Sequence, residues 1–145
     1  MKINVKKLNE NAILPTKGSE FSAGSDLYAC LDDVLEIEPH QTVLVPTGLA
    51  IELPVGTVGL IYARSGLASK RDLAPANKVG VIDCDYRGEL LVALHNHGNQ
   101  TQTISPGERI AQLVVTPYFE VSYQQTDELS ETKRDVGGFG STGKK

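Results

Sequence analysis

The run Leu49-Ala50-Ile51-Glu52-Leu53-Pro54-Val55-Gly56-Thr57-Val58-Gly59-Leu60-Ile61-Tyr62 contains two short apolar, β-branched stretches parted by a proline and a glycine. Pro54 fixes its own φ and lacks a backbone donor, and Gly56 accepts turn conformations that other residues resist. The chain is therefore expected to reverse between two strands. The pattern repeats on both sides, in Thr42-Val43-Leu44-Val45, Val79-Gly80-Val81-Ile82, Leu90-Leu91-Val92-Ala93-Leu94 and Arg109-Ile110-Ala111-Gln112-Leu113-Val114-Val115, with another turn signal at Ser105-Pro106-Gly107-Glu108. Strand-length runs spaced by roughly 8 to 12 residues predict an all-β sandwich or barrel. The expected architecture is a distorted jelly-roll-like β-barrel. One short helix is predicted, at Ser65-Gly66-Leu67-Ala68-Ser69-Lys70-Arg71, with Ser65 as its cap.

A chain of 145 residues, 40% of them hydrophobic, fits one domain whose core needs no staples. Strand-like sequence gives way near Gln125 to charged and small residues, which predicts a core over residues 1–125 and a C-terminal arm over 126–145. A net charge of -4 argues against holding a nucleic-acid duplex by phosphate neutralisation. Only Cys30 and Cys84 occur, far apart, which is neither a zinc spacing nor a disulfide framework. No segment approaches the ~18 apolar residues of a membrane span, so a soluble cytoplasmic protein is expected.

Chemistry is suggested at several places. Asp83-Cys84-Asp85-Tyr86-Arg87-Gly88 lies between two apolar strands and reads as a hairpin tip; a polar turn alone would account for it, since turns demand Asp and Gly. A strand entering through Val81 and Ile82 would hold the Asp83 carboxylate in one orientation, as proton abstraction from water requires, and Tyr86 would offer a flat face beside it. Arg64-Ser65-Gly66 opens the predicted helix and suits a phosphate, although an ordinary helix start would read the same. Gln112 is an amide inside an apolar strand and needs polar partners, whereas Arg109 reads as a strand-edge charge without a site role. His95-Asn96-His97 would set two imidazoles on one strand face, but no third ligand stands at a suggestive spacing. Phe139 is an aromatic isolated among glycines, placed to close over a flat ligand, with the Ser141 and Thr142 hydroxyls beside it.

These segments, together with Ala23-Gly24-Ser25-Asp26-Leu27-Tyr28-Ala29 and Arg134-Asp135-Val136-Gly137-Gly138-Phe139-Gly140-Ser141-Thr142-Gly143, resemble in order the five motifs of the trimeric all-β dUTPases. The resemblance implies Mg2+-assisted attack of water on the α-phosphorus of dUTP, giving dUMP and pyrophosphate. Such a reaction keeps uracil out of DNA and supplies dUMP for thymidylate synthesis. It further implies that Asp83 activates the water and that Tyr86 packs under the deoxyribose. The backbone around Val81 and Ile82 would read the uracil edge, with Asn77 at the pocket entrance. Arg64, Ser65, Gly66 and Gln112 would hold the phosphate chain, and Asp26 would order the metal's water shell without ligating the metal directly. Arg134 would reach the terminal phosphate, while Phe139, Gly140, Ser141 and Thr142 would close the arm over a site built from three subunits. The sequence departs from the family pattern at Ala63, commonly Pro, at Lys78, commonly small, and at Asp135, commonly Gly.

Two other readings share these features. A dCTP deaminase of the same fold would need a different acid-base set, and a nucleotide-responsive binding module would carry a damaged catalytic set or an inserted segment. Ammonia release from dCTP would mark the first.

Overall fold

The computed structural model describes residues 1–138. Among these, the chain is built almost wholly of strands, with one short helix, in a jelly-roll-like β fold. The largest sheet has five strands in the order β2 (Thr16–Lys17), β3 (Ser25–Tyr28), β12 (Arg109–Pro117), β7 (Thr57–Tyr62) and β9 (Gly80–Ile82). A three-stranded sheet runs β5 (Thr42–Pro46), β10 (Leu91–Asn96), β8 (Leu73–Pro75). Two smaller pairs, β1 (Asn4–Lys7) with β6 (Leu49–Glu52) and β11 (Gln102–Ile104) with β4 (Leu35–Ile37), complete the set.

Alternation along the strands builds the core. Val92, Leu94 and Asn96 of β10 point inward while Leu91, Ala93 and His95 do not. The inward set meets Leu27, Ile37, Val45, Leu73 and Ile104, all removed from solvent. The six runs read as strands in the sequence are strands here. The short strands β1, β2, β3, β4, β8 and β11 are not legible, because two to four residues carry too little pattern of their own; β3 and β8 exist as partners of the longer β12 and β10, and β1 pairs with the equally short β6.

Two sequence expectations are corrected. Gly80–Ile82 and Leu91–Asn96 do not form a hairpin: β9 pairs with β7 in register Gly59↔Ile82, and β10 pairs with β5 and β8 in the other sheet. Residues 83–90 instead cross between sheets, anchored by Leu90, which is buried and donates its N–H to Leu49 O at 2.8 Å. The helix α1 (Ser65–Arg71) is present, but its N-cap is Arg64, still extended at φ -86° and ψ 131°, with no side-chain cap bond. The chain leaves β7 extended through Arg64, which makes Ser65 the first helical residue and not the cap.

The last strand ends at Pro117, and residues 118–138 contain no helix or strand. No helix among the described residues is long and apolar enough to cross a membrane. Both cysteines are free, and burial, with Glu89 and Asp32 nearby, pushes the Cys30 thiol pKa up.

The one fully buried side-chain amide among the described residues is structural. Asn96 Nδ2 donates to the carbonyls of Ile37 at 3.0 Å and Gln100 at 2.8 Å, and its Oδ1 accepts from Gly98 N–H at 2.9 Å. Asn96→Leu fills the space but strands those groups, so the denaturant midpoint should drop by an equivalent of about 3 kcal/mol, given roughly 1–3 kcal/mol per orphaned group. An unchanged midpoint would contradict this role.

Candidate functional site

The polar side chains of the five-stranded sheet converge through register. Gln112 of β12 lies opposite Asp26 of β3 on one side and Tyr62 of β7 on the other. Arg109 should face away from Gln112, three residues being an odd step along a strand. A β-bulge reverses this: Arg109 pairs with Tyr28 and Ala111 with Leu27, leaving Ile110 unopposed, so the phase shifts by one residue. Ile110 and Ala111 both turn into the core, and Arg109 comes to the same side as Gln112. Simple alternation hides this, and Arg109, read as a strand-edge charge, turns out to line the same cleft as Gln112.

The product is a cleft of about 670 Å³ lined by Gly24, Asp26, Arg64, Ser65, Arg109 and Gln112, among others, including Gly66. The Asp26 carboxylate, 14% exposed, binds Arg64 Nε at 2.8 Å and Arg109 Nη1 at 3.2 Å. Two guanidiniums on one carboxylate leave a surplus positive charge, and neither Nη group of Arg64 has a hydrogen-bond partner among the described residues. Such unengaged, charge-assisted donors suit an anion. Gln112 Nε2 is committed to Ala63 O at 2.9 Å, which fixes the amide, and Gly24 leaves room for it. A Cβ on residue 24 would come within 2.6 Å of Gln112 Oε1.

Asp83 is elsewhere. It lines a second cleft of about 580 Å³ with Val81, Leu60, Cys84, Asp85 and Tyr118. Asp83 is exposed at the end of β9, and its carbonyl accepts Tyr86 N–H at 3.2 Å. Val81 faces solvent, while Ile82 packs its side chain on the core and has only backbone to offer a ligand. Tyr118, which sequence reasoning missed, stands just past the last strand, the one signal being an aromatic at a strand end. Cys84 first, then desolvation and the acids Glu120, Asp83 and Asp85, push its phenol pKa up.

Tyr86, Asn77 and Arg134 line neither cleft. Tyr86 donates its hydroxyl to Glu89 O at 3.0 Å and folds over Gly88, where any Cβ would collide with the ring. Asn77 sits in a turn whose Val79 N–H binds its carbonyl at 2.6 Å, with its amide against Gly80. Arg134 donates Nε to Gly137 O at 2.9 Å. The expectations for Phe139, Gly140, Ser141 and Thr142 lie outside the described residues. His95 and His97 stack edge to face at 4.3 Å, and His97 Nε2 meets Lys78 Nζ at 3.2 Å. Burial, then Lys78 and His95, lower the His97 pKa. Among the described residues no three His, Cys, Asp or Glu gather as for a metal.

Two of the positions that depart from the expected pattern share a backbone geometry. Lys78 has φ 62° and Asp135 φ 44°, both in the left-handed region where glycine is free of the roughly 1–2 kcal/mol that other residues incur. Asp tolerates this better than Lys, through its short polar side chain.

The fold and the polar cleft define an all-β jelly-roll-like protein with a cleft in which two arginines share one carboxylate. A family model described as dUTPase matches residues 10–143, and the chain belongs to the dUTPase family. Curated relatives named deoxyuridine 5'-triphosphate nucleotidohydrolase include one from Acinetobacter baumannii, 48% identical and covering 99% of each chain. Another, from Desulfitobacterium hafniense, is 56% identical over 90% of this chain and 87% of its own. Among solved structures, a point mutant of Staphylococcus bacteriophage 80alpha dUTPase with dUpNHpp superposes with a TM-score of 0.89 at 29% identity, covering 98% of each chain. A mutant dUTPase from phage phi11 of S. aureus, described as revealing the coordination of a structural Mg(II) ion, superposes at 0.81 with 27% identity over 90% of this chain and 100% of that one.

Gly24→Ala should leave the fold intact, since the clashing atom is the end of a flexible side chain, but should expel Gln112 from its place. The readout is the side-chain amide resonance of Gln112, which moves if the contact with Ala63 is lost and stays put if Gly24 has no such role.

Proposed function

We propose that this protein hydrolyses dUTP to dUMP and pyrophosphate, with Asp83 as general base and the Asp26–Arg64–Arg109 cleft as the seat of the phosphate chain. The observation that carries the reading is that cleft: Asp26 fixes two guanidiniums beside an open space of about 670 Å³, room enough for a phosphate chain. Family membership and the named relatives support the substrate. The likeness to a phage dUTPase with dUpNHpp, a substrate analogue, supports a triphosphate in the site.

In this reaction Asp83 accepts a proton from water as the water oxygen bonds to the α-phosphorus. The bond from that phosphorus to the bridging oxygen breaks, and pyrophosphate leaves with the electron pair. Arg64, with Ser65 and Gly66 beside it, orients the chain, and Gln112 presents a fixed amide. Tyr86 would meet the sugar face, and Asn77 with the backbone of Val81 and Ile82 would meet the base.

The residues present fit Mg2+ held mainly by substrate oxygens. Asp26 is a carboxylate already shared by two arginines, so it suits a water-mediated contact better than direct ligation, and this small cation is commonly bound through phosphates and one or two carboxylates. When bound, Mg2+ would offset charge on the phosphate oxygens. Removing dUTP keeps uracil out of DNA, and the dUMP formed feeds thymidylate synthesis.

Asp83 and Arg64 line different clefts of one chain, which supports a site completed by neighbouring copies in a homotrimer. Residues 126–145 would form the arm, bringing Arg134, Phe139, Gly140, Ser141 and Thr142 over the substrate. A second, compatible reading is regulatory: phage dUTPases of similar structure are described as controlling transfer of virulence genes by a proto-oncogenic G protein-like mechanism.

Incubation with Mg2+ and, separately, dUTP, dTTP, dCTP and UTP should yield pyrophosphate and dUMP from dUTP alone. Ammonia from dCTP would place the chain with the deaminases, and tight dUTP binding without turnover would favour the regulatory reading. Asp83→Asn should bind dUpNHpp normally and lose about 100-fold to 10,000-fold in kcat. Deleting residues 134–145 should leave the core's unfolding transition in place and lower kcat/KM by at least about tenfold, through loss of the closed geometry. Full activity in either variant would count against its assigned role.

A further inference from the structure

The loop between β9 and β10 carries both Asp83 and Tyr86, yet residues 83–90 have no sheet ladder of their own. Its internal backbone bond is the single Tyr86 N–H to Asp83 O contact, at 3.2 Å. The far end of the loop is anchored by Leu90, whose N–H meets Leu49 O at 2.8 Å, and by Glu89, whose carboxylate accepts Gly48 N–H at 2.7 Å; past the end of β9, the Asp83 end has only the Tyr86 contact and would let a general base wander unless something else fixes it. Arg87 lies in this loop and has no part in the function proposed above.

Its guanidinium folds back on the loop. Nη1 donates to the carbonyl of Cys84 at 2.7 Å and to that of Tyr86 at 3.0 Å. Nη2 meets Glu52 Oε1 at 3.4 Å. Glu52 is the last residue of β6, and its other carboxylate oxygen accepts from Asn4 Nδ2 at 2.7 Å, Asn4 being its register partner on β1. A continuous chain of contacts thus runs from the β1–β6 edge through Glu52 and Arg87 to the carbonyls of Cys84, the residue after Asp83, and of Tyr86.

We propose that Arg87 is a positioning residue for Asp83, its guanidinium clamping the loop and Glu52 fixing the guanidinium. The inference rests on the reading of Asp83 as general base. Arg87 and Glu52 are each about half exposed, at 52% and 53%, so their ion pair adds little to folding stability. Orientation is more sensitive: a displacement of about 1 Å at a reacting group costs on the order of 100-fold in rate. Only a group with several fixed donors binds two carbonyls and a carboxylate together, so lysine can replace part of the clamp and methionine none of it.

The test compares Arg87→Met, Arg87→Lys, Glu52→Gln, Asp83→Asn and the Arg87→Met/Asp83→Asn pair as full-length proteins. The readouts are kcat, dUpNHpp affinity and the thermal midpoint. Arg87→Met should lose on the order of 10-fold to 100-fold in kcat, with analogue affinity within about twofold and the midpoint nearly unchanged. Arg87→Lys should recover part of that loss, and Glu52→Gln should lose less than Arg87→Met. The double variant should be no slower than Asp83→Asn, because residues that act as a unit are not additive. Unchanged kcat in Arg87→Met, losses that multiply in the double variant, or a parallel collapse of analogue affinity and midpoint would each overturn the proposal. Full turnover in Asp83→Asn alone would remove the general base itself, a failure of the underlying reading that is distinct from any result with Arg87.

Discussion

Strand β12 is bound on both edges, and its register decides what the large sheet presents. Gln112 stands level with Asp26 on one neighbour and with Tyr62 on the other, and Arg64 follows two residues after that tyrosine. A slip of one residue would turn Gln112 into the core and Leu113 toward solvent, so the apolar positions Ala111 and Leu113 hold the register as firmly as the hydrogen bonds do. The bulge at Ile110 is the one break in this order. It lets Ile110 join the core and brings Arg109 round to the Asp26 carboxylate, so a packing feature also sets the charge of the cleft.

The second cleft depends on the first through β7. This strand pairs with β12 along one edge and with β9 along the other, where Leu60 lies beside Val81 and Gly59 beside Ile82. Asp83 begins where β9 ends, so its position follows from the same sheet, while the clamp from Glu52 and Arg87 ties its loop to the separate β1–β6 pair. One sheet therefore carries the proposed phosphate seat and the proposed base in different openings. On the proposed reading, a trimer would bring the openings of neighbouring copies together into one site.

Strand pattern was the most legible part of the sequence. The six runs are legible through their β-branched, apolar composition, and the turn residues between them mark their ends. Asp26, Arg64, Ser65, Gly66 and Gln112 were picked out separately and share one cleft. What the sequence hid has identifiable causes. The partner of β9 could not be read, since adjacency along the chain suggested β10 while Gly59 allowed close pairing with β7. Arg109 was hidden because a bulge leaves no mark in an alternation count. Gly88 looked like a turn glycine, yet its place is set by the Tyr86 ring lying over it. Lys78 and Asp135 have left-handed backbones, which residue type alone does not disclose.

The most direct test of a divided site is subunit mixing. Asp83→Asn and Arg64→Ala are each expected to be inactive alone, and the two are unfolded together, refolded as mixed trimers and assayed with dUTP. If each site draws Asp83 and Arg64 from different copies, random mixing restores both groups in about a quarter of the sites, with a matching share of wild-type kcat. Activity no higher than that of the separate variants would contradict the account, since it would mean that both residues serve a site within one chain.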